Sequence, residues 1–249
     1  MAYISFNPKD FFNTVLFSGT AAGQSITGVG FQPDFVWGKS ILATGNHQLL
    51  DAVRGVGKPL ESDTGDAEAS DPGSSLSSFD SDGFTLAGGS AFNPSGTNNV
   101  ISYNWKAGTS SGLDFSAGDI TPSAYSINTT SGIGIYKYTG PGTVGGDTLA
   151  HNLGVTPKLV IVKRLSDDYS WAVNSAEITS TKIFNLNENV AEATNDAFQN
   201  TGSTSTLTTF GSSTYTNAAA GSSIYVMYAF APVKGYSAIG SYAGNANTN

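Results

Sequence analysis

The two histidines, His47 and His151, are where hydrolytic chemistry would have to start, because a nucleophilic triad needs a general base. Gly108 to Gly112, GTSSG, fits the G-x-S-x-G spelling of a nucleophile elbow, with Ser110 as nucleophile. That elbow needs a strained turn between a buried strand and a helix, and here the motif stands in a run of Gly, Ser and Thr. Gly38-Lys39-Ser40 ends like a phosphate-binding loop, yet Pro33 stands where that loop needs glycine, and the surrounding residues read as a strand. Glycoside hydrolysis needs two carboxylates across a cleft, and among 19 acidic residues the spacing singles out no pair. Two acidic clusters offer oxygen ligands for Ca²⁺: Asp80 and Asp82 of DSDG, and the loop carrying Glu61, Asp63, Asp66, Glu68 and Asp71. DSDG is equally a plain turn, in which Asp accepts backbone hydrogen bonds and Gly83 takes a positive φ. The expectation is therefore no catalytic residue and no cofactor, with Ca²⁺ at Asp80 and Asp82 as a weak candidate.

Aromatic side chains beside Asn or Asp suit sugar recognition. Trp37, Trp105 and Trp171 each fall in strand-like runs at core-like spacing and are expected inside.

The elements that would position these residues are set by a duplication. Gly28 to Ser40, GVGFQPDFVWGKS, is answered by Leu153 to Arg164, LGVTPKLVIVKR, so that Gly30, Pro33 and Lys39 correspond to Gly154, Pro157 and Lys163. On the same alignment His47 falls on Trp171 and His151 on Thr27, so neither histidine recurs. VISYNW at 100–105 and YVMYAF at 225–230 close the two units, pairing Tyr103 with Tyr228 and Trp105 with Phe230. Alternating or apolar runs bounded by Gly, Pro, Asn and Asp read as many short strands, and only Val190 to Asn200 leaves room for a helical turn. The fold expected is all-β: two tandem antiparallel β-sandwiches, concanavalin-like or jelly-roll-like. The boundaries are an N-terminal arm 1–13, a first repeat 14–107, a connector 108–131, a second repeat 132–235, and a tail 236–249 that resembles the start of a third repeat. Gly38 has no counterpart in the copy, where Val162 stands, and a glycine there lets another backbone approach. With Phe6, Phe11 and Phe12 of the arm and Tyr236 and Tyr242 of the tail, it is a candidate assembly residue.

Composition limits the partners. Of 249 residues, 12% are charged and the net charge is -8, which disfavours a nucleic-acid ligand. Aromatics at 11% give ample core material. Cysteine is absent, so neither disulfides nor thiolate metal sites contribute. No apolar run reaches the roughly 18 residues of a membrane helix.

NPKDFFNT, GVGFQPDFVWGKS, LLDAVRGV, SFDSDGF, YNWKAG, LGVTPKLVIVK, YVMYAFA and GYSAIGSYAGN together resemble the β-sandwich repeats of marine bacteriophage virion proteins. The resemblance spans almost the whole chain. It implies a concanavalin-like sandwich and a structural role at the virion surface, as tail fibre, spike or capsid decoration, without catalytic residues. The implied partners are other virion proteins and further copies of the chain; a host surface glycan is the alternative, with lectin-like receptor recognition as the function.

Overall fold

The computed structural model describes residues 5–41, 44–71, 73, 75–89, 91–95, 99–143, 146–179, 181–218 and 222–244, with the side chains of Asn99, Asn200 and Thr201 left aside. The described residues are all-β, and every strand-to-strand ladder among them is antiparallel, with one isolated parallel bridge between Ile120 and Leu149. One 3-10 turn, Pro8–Asp10, precedes the first strand, with the Asn7 side chain accepting the Lys9 amide as its cap.

The first half runs through β1 (Phe12–Ser18), β2 (Ala22–Ile26), β3 (Phe35–Ser40), β4 (Gln48–Asp51), β5 (Leu60–Glu61), β6 (Leu76–Asp80), β7 (Gly83–Gly88) and β8 (Asn99–Trp105). They form a five-stranded sheet in the order β1-β8-β3-β4-β5 and a three-stranded sheet in the order β2-β7-β6. The remaining strands are β9 (Ala124–Asn128), β10 (Ile133–Thr139), β11 (Thr148–Ala150), β12 (Leu159–Arg164), β13 (Ala172–Ser175), β14 (Lys182–Asn185), β15 (Ala193–Thr194), β16 (Phe198–Ser203), β17 (Leu207–Phe210) and β18 (Ile224–Phe230). Their large sheet runs β15-β14-β13-β12-β18-β10-β9 and their small one β11-β17-β16. Leaving aside the edge strands β9 and β15, the second half repeats the strand order of the first. The register repeats too: Trp37 opposes Tyr103 and Leu49, and Ile161 opposes Tyr228 and Val173.

Three apolar layers follow from the period-2 geometry of the strands. In β3, Val36 joins Leu50, Val100, Ile26, Phe84 and Leu86 between the five-stranded sheet and its small partner. In β12 and β18, Val160, Val162, Met227 and Ala229 join Phe198 and Phe210 in the corresponding layer of the second half. The alternate residues, Phe35 and Leu49 on one side and Ile133, Ile135, Ile161, Trp171, Val226 and Tyr228 on the other, form a third layer between the two large sheets. This is why LVIV and YVMYAFA read as unbroken apolar runs: both faces of those strands are buried.

Polar contacts cross the same boundary. The Trp171 Nε1–H donates to the Glu61 and Thr64 carbonyls at 3.0 and 3.1 Å, and the Glu68 amide donates to the Leu165 carbonyl at 3.0 Å. Lys163 Nζ donates to the Gly65 carbonyl at 3.2 Å. The acidic loop expected as a metal candidate thus fastens the first half to the second.

Two local expectations are corrected. Val190 to Asn200 forms no helix; it enters β15 and β16, because Ala197 and Phe198 bury and the Phe198 ring packs on Phe210 at 6.0 Å. Segment 108–131 is built into the second half rather than lying over it: β9 is an edge strand of the large sheet, and Phe115, Ile120 and Ile127 bury in its core.

Candidate functional site

The residues that could have formed a hydrolytic site are not brought together. His151 is fully buried, accepts the Leu153 amide on Nδ1 at 3.1 Å, and places Nε2 3.1 Å from the Thr204 carbonyl. Ser110 is exposed and lines a polar pocket with Asp34, Lys106 and Ser126, with neither histidine in its wall. Asp34 is itself buried; it accepts the Ala107 amide at 2.9 Å and the Ser126 hydroxyl at 3.1 Å, and burial pushes its carboxyl above the usual range. Gly38-Lys39-Ser40 lies inside β3, with Lys39 Nζ donating to the Gly45 carbonyl at 2.6 Å.

The calcium candidates are held by turn chemistry. Asp82 accepts the Gly28 and Gly30 amides, one on each carboxylate oxygen, at 3.0 and 2.6 Å, and these bonds hold its pKa down. Asp80 accepts the Thr85 hydroxyl at 2.7 Å, and Gly83 takes φ +148°. Among the described residues no three His, Asp or Glu side chains group closely enough to hold a metal ion.

The assembly candidates converge, but on their own chain. Phe6 packs edge-on against Phe11 at 5.0 Å and Tyr236 at 5.4 Å, and Phe12 lies against Trp105 at 4.9 Å. Tyr236, Phe12, Trp105 and Phe230 line an open apolar pocket of about 320 Å³ at the end of the layer between the large sheets. Burial there pushes the Tyr236 hydroxyl up to about 12. Arm and tail thus pack against one another within the chain, and Phe6, Phe11, Phe12 and Tyr236 are each half-buried. For Gly38 the expectation of an approaching backbone is corrected. The close approach it permits is made by Phe92, whose ring would lie 1.8 Å from a Cβ at that position. Tyr242 alone of the six stands in solvent, 92% exposed. Residues 1–4 of the arm and 245–249 of the tail lie outside the described residues.

What the sequence reading missed is a groove at the uncovered end of the five-stranded sheet's face that meets the second half. Alternation in β3 and β8 puts Phe35, Trp37 and Lys39, with Ile41 just beyond, on the same face as Trp105, Tyr103 and Ile101. The rung made by Phe35 and Trp105 is covered by the second half, through Tyr228 stacked on Phe35 at 4.7 Å. One rung further, Trp37 and Tyr103 stand at the edge of that cover, and Tyr103 is 39% exposed. The last rung, Leu16, Ile101 and Lys39, is uncovered, with Leu16 61% and Ile41 52% exposed. Trp37, His47, Tyr103 and Trp105 line a hollow of about 380 Å³. Trp37 and His47 also line an adjoining hollow of about 460 Å³, whose far wall is Asp63, Asn187, Glu188 and Asn189. The three tryptophans therefore divide: Trp171 is core, as expected, whereas Trp37 and Trp105 are half-buried groove residues. Strand alternation alone places them on one face; that the opposing sheet stops short of its end is a tertiary fact.

Among the described residues no helix is long and apolar enough to cross a membrane. Comparison with curated proteins and with solved structures finds no match. A family model does match over residues 7–249, nearly the full length, and on that match the chain belongs to the DUF7483 family, a domain of unknown function.

Proposed function

We propose that this protein is a non-enzymatic structural subunit of a phage particle's surface, a tail fibre, spike or capsid decoration made of two tandem concanavalin-like β-sandwiches, acting by assembly and adhesion. The observation that carries this reading is the buried layer between the two large sheets. A linked pair of binding modules would be free to swing on a flexible connector. Here Phe35, Leu49, Trp171 and Tyr228 join the halves in an apolar interior, and the Asp51–Arg54 pair is sealed into it. A rigid stack of this kind transmits load and presents its loops at fixed spacing, as a particle appendage must. The sequence resemblance to virion repeats points the same way. The test is to purify particles from the host culture and quantify this chain's peptides against the major capsid protein, with antibody labelling by electron microscopy. A stoichiometric, surface-accessible signal is expected; a chain confined to the host-cell lysate and absent from intact particles overturns the reading.

A further inference from the structure

We infer that the groove over Trp37, Tyr103 and Trp105 is a binding site for a neutral glycan. The inference is independent of where the protein is displayed. Its floor is aromatic: Trp37 and Tyr103 are direct cross-strand partners, which sets their Cβ atoms roughly 5 Å apart. An aromatic face carries the negative side of the ring quadrupole and attracts the weakly positive C–H groups on the face of a pyranose. Its wall is polar: His47, Asp63, Asn187, Glu188 and Asn189 lie beside the aromatic floor. Asp63 accepts the His47 amide, Glu188 accepts from Ser170 and Asn185, and Asn187 accepts the Trp171 amide, so these groups are held in place, and their remaining lone pairs can accept from the hydroxyls that a sugar presents at its edge.

Charge decides between occupants. Asp63 and Glu188 on the wall, in a chain of net charge -8, oppose a uronic or sialic acid polymer and leave neutral sugars favoured. The same carboxylates argue against a second copy, because a two-fold contact would set the patch against itself. A peptide adding as a strand needs a free sheet edge, and this surface is a face.

The test uses the full chain and its own tryptophan fluorescence. Trp171 is fully buried, whereas Trp37 and Trp105 line both the groove and the apolar pocket beside it, so the Tyr103→Ala comparison assigns the signal to the groove. Maltohexaose, cellohexaose and chitohexaose are titrated as neutral probes, with alginate as the acidic comparison. At least one neutral hexasaccharide is expected to give a saturable change. Tyr103→Ala should weaken that binding about tenfold or more, since losing one stacking face is worth roughly the 1.4 kcal/mol that corresponds to tenfold. Tyr242→Ala, which removes a more exposed aromatic outside the groove, should leave it unchanged, and both variants should melt as the parent does. The inference is overturned if no neutral probe saturates by about 10 mM, weaker than any useful single site. It is equally overturned if Tyr103→Ala binds like the parent, if alginate alone binds, or if the change follows self-association in sedimentation.

Discussion

The two halves place corresponding residues at corresponding points of the same sheet, and the residues meet opposite fates. Trp37 and Tyr103 are cross-strand partners in the first half, as Ile161 and Tyr228 are in the second. His47 corresponds to Trp171 just ahead of the next strand. In the second half all three side chains are buried beneath the opposing sheet, and Tyr228 donates its hydroxyl to Asp51 at 2.7 Å. In the first half Trp37, His47 and Tyr103 line an open groove. The difference is one of cover. The two sheets overlap over the rung of Phe35 and Trp105 and diverge beyond it. One strand order is used twice, and the asymmetric docking of the two halves makes one face interior and leaves part of the other exposed.

The strongest way to break this arrangement is to remove the charge at the joint. Arg54 Nε lies 2.5 Å from Asp51 Oδ2, both side chains fully buried, and its other nitrogens donate to the Lys58 and Leu49 carbonyls and to Glu68. Ser175 stands at the place of Asp51 in the second half, opposite Leu159 as Asp51 is opposite Phe35, so the ion pair belongs to one copy only. Arg54→Ala leaves an uncompensated buried carboxylate and is expected to cost about 3–5 kcal/mol in urea unfolding. Tyr228→Phe removes one donor to that carboxylate and should cost about 1.5–3 kcal/mol. If Arg54→Ala unfolds within 1 kcal/mol of the parent, roughly the yield of an exposed ion pair, the joint is not held as described.

Next in size is the substitution that makes the first half more like the second. Gly38→Val imports the residue at Val162, but a Cβ there meets the Phe92 ring. Overpacking of this kind is expected to cost about 1–3 kcal/mol or somewhat more. Combining it with Phe92→Leu should give a total smaller than the sum of the two single effects, a coupling of about 0.5–3 kcal/mol for residues in contact. Strict additivity would mean that Phe92 does not fill the space over Gly38.

Lys163 and Lys39 show how much of this could be read before the fold was known. The repeat GVGFQPDFVWGKS and LGVTPKLVIVKR predicts two equivalent strands with a lysine at each end, and the register bears that out residue for residue. What it conceals is that Lys163 is buried under the Gly65 carbonyl, whereas Lys39 caps a local loop at Gly45. Contacts made within a strand pair follow from local pattern. Contacts made across the joint depend on the relative placement of two sheets, which no local pattern encodes. The same limit hid the groove: Trp37 and Trp105 satisfy every sequence criterion for core. It also misdirected Gly38, whose missing side chain was legible but whose partner, Phe92, lies far along the chain.

That burial has a titration signature. Desolvation lowers the Lys163 ammonium to about 8, against the pull of Asp168 and Asp66. Between pH 8 and the ordinary lysine value near 10.4 the unfolded chain binds the extra proton, so this residue's contribution to stability rises with pH across that window. The difference in melting temperature between the parent and Lys163→Met should therefore move in the parent's favour from pH 8 to pH 10. Taking the difference removes the tyrosines, which titrate in both proteins. A difference that stays flat would place Lys163 in water.

The smallest effect separates His151 from Thr27, its counterpart in the first half. Burial pushes the imidazole below its ordinary value, while the Thr204 carbonyl pulls weakly the other way. Because the Leu153 amide donates to Nδ1, the neutral ring carries its proton on Nε2, and a second proton on Nδ1 would break that bond. A histidine whose folded pKa is depressed contributes stability above the unfolded value near 6.5 and loses it as the pH falls through that value toward the folded one. Melting the parent and His151→Gln at pH 7 and pH 5 is expected to show the parent losing more on acidification, by an amount below the effects of the changes above. Carboxylates protonate in both proteins and cancel. If the two lose equally, His151 is not the neutral, doubly bonded ring that holds the turn before Leu153, and this histidine would have to be reconsidered as a group able to accept a proton in the folded state.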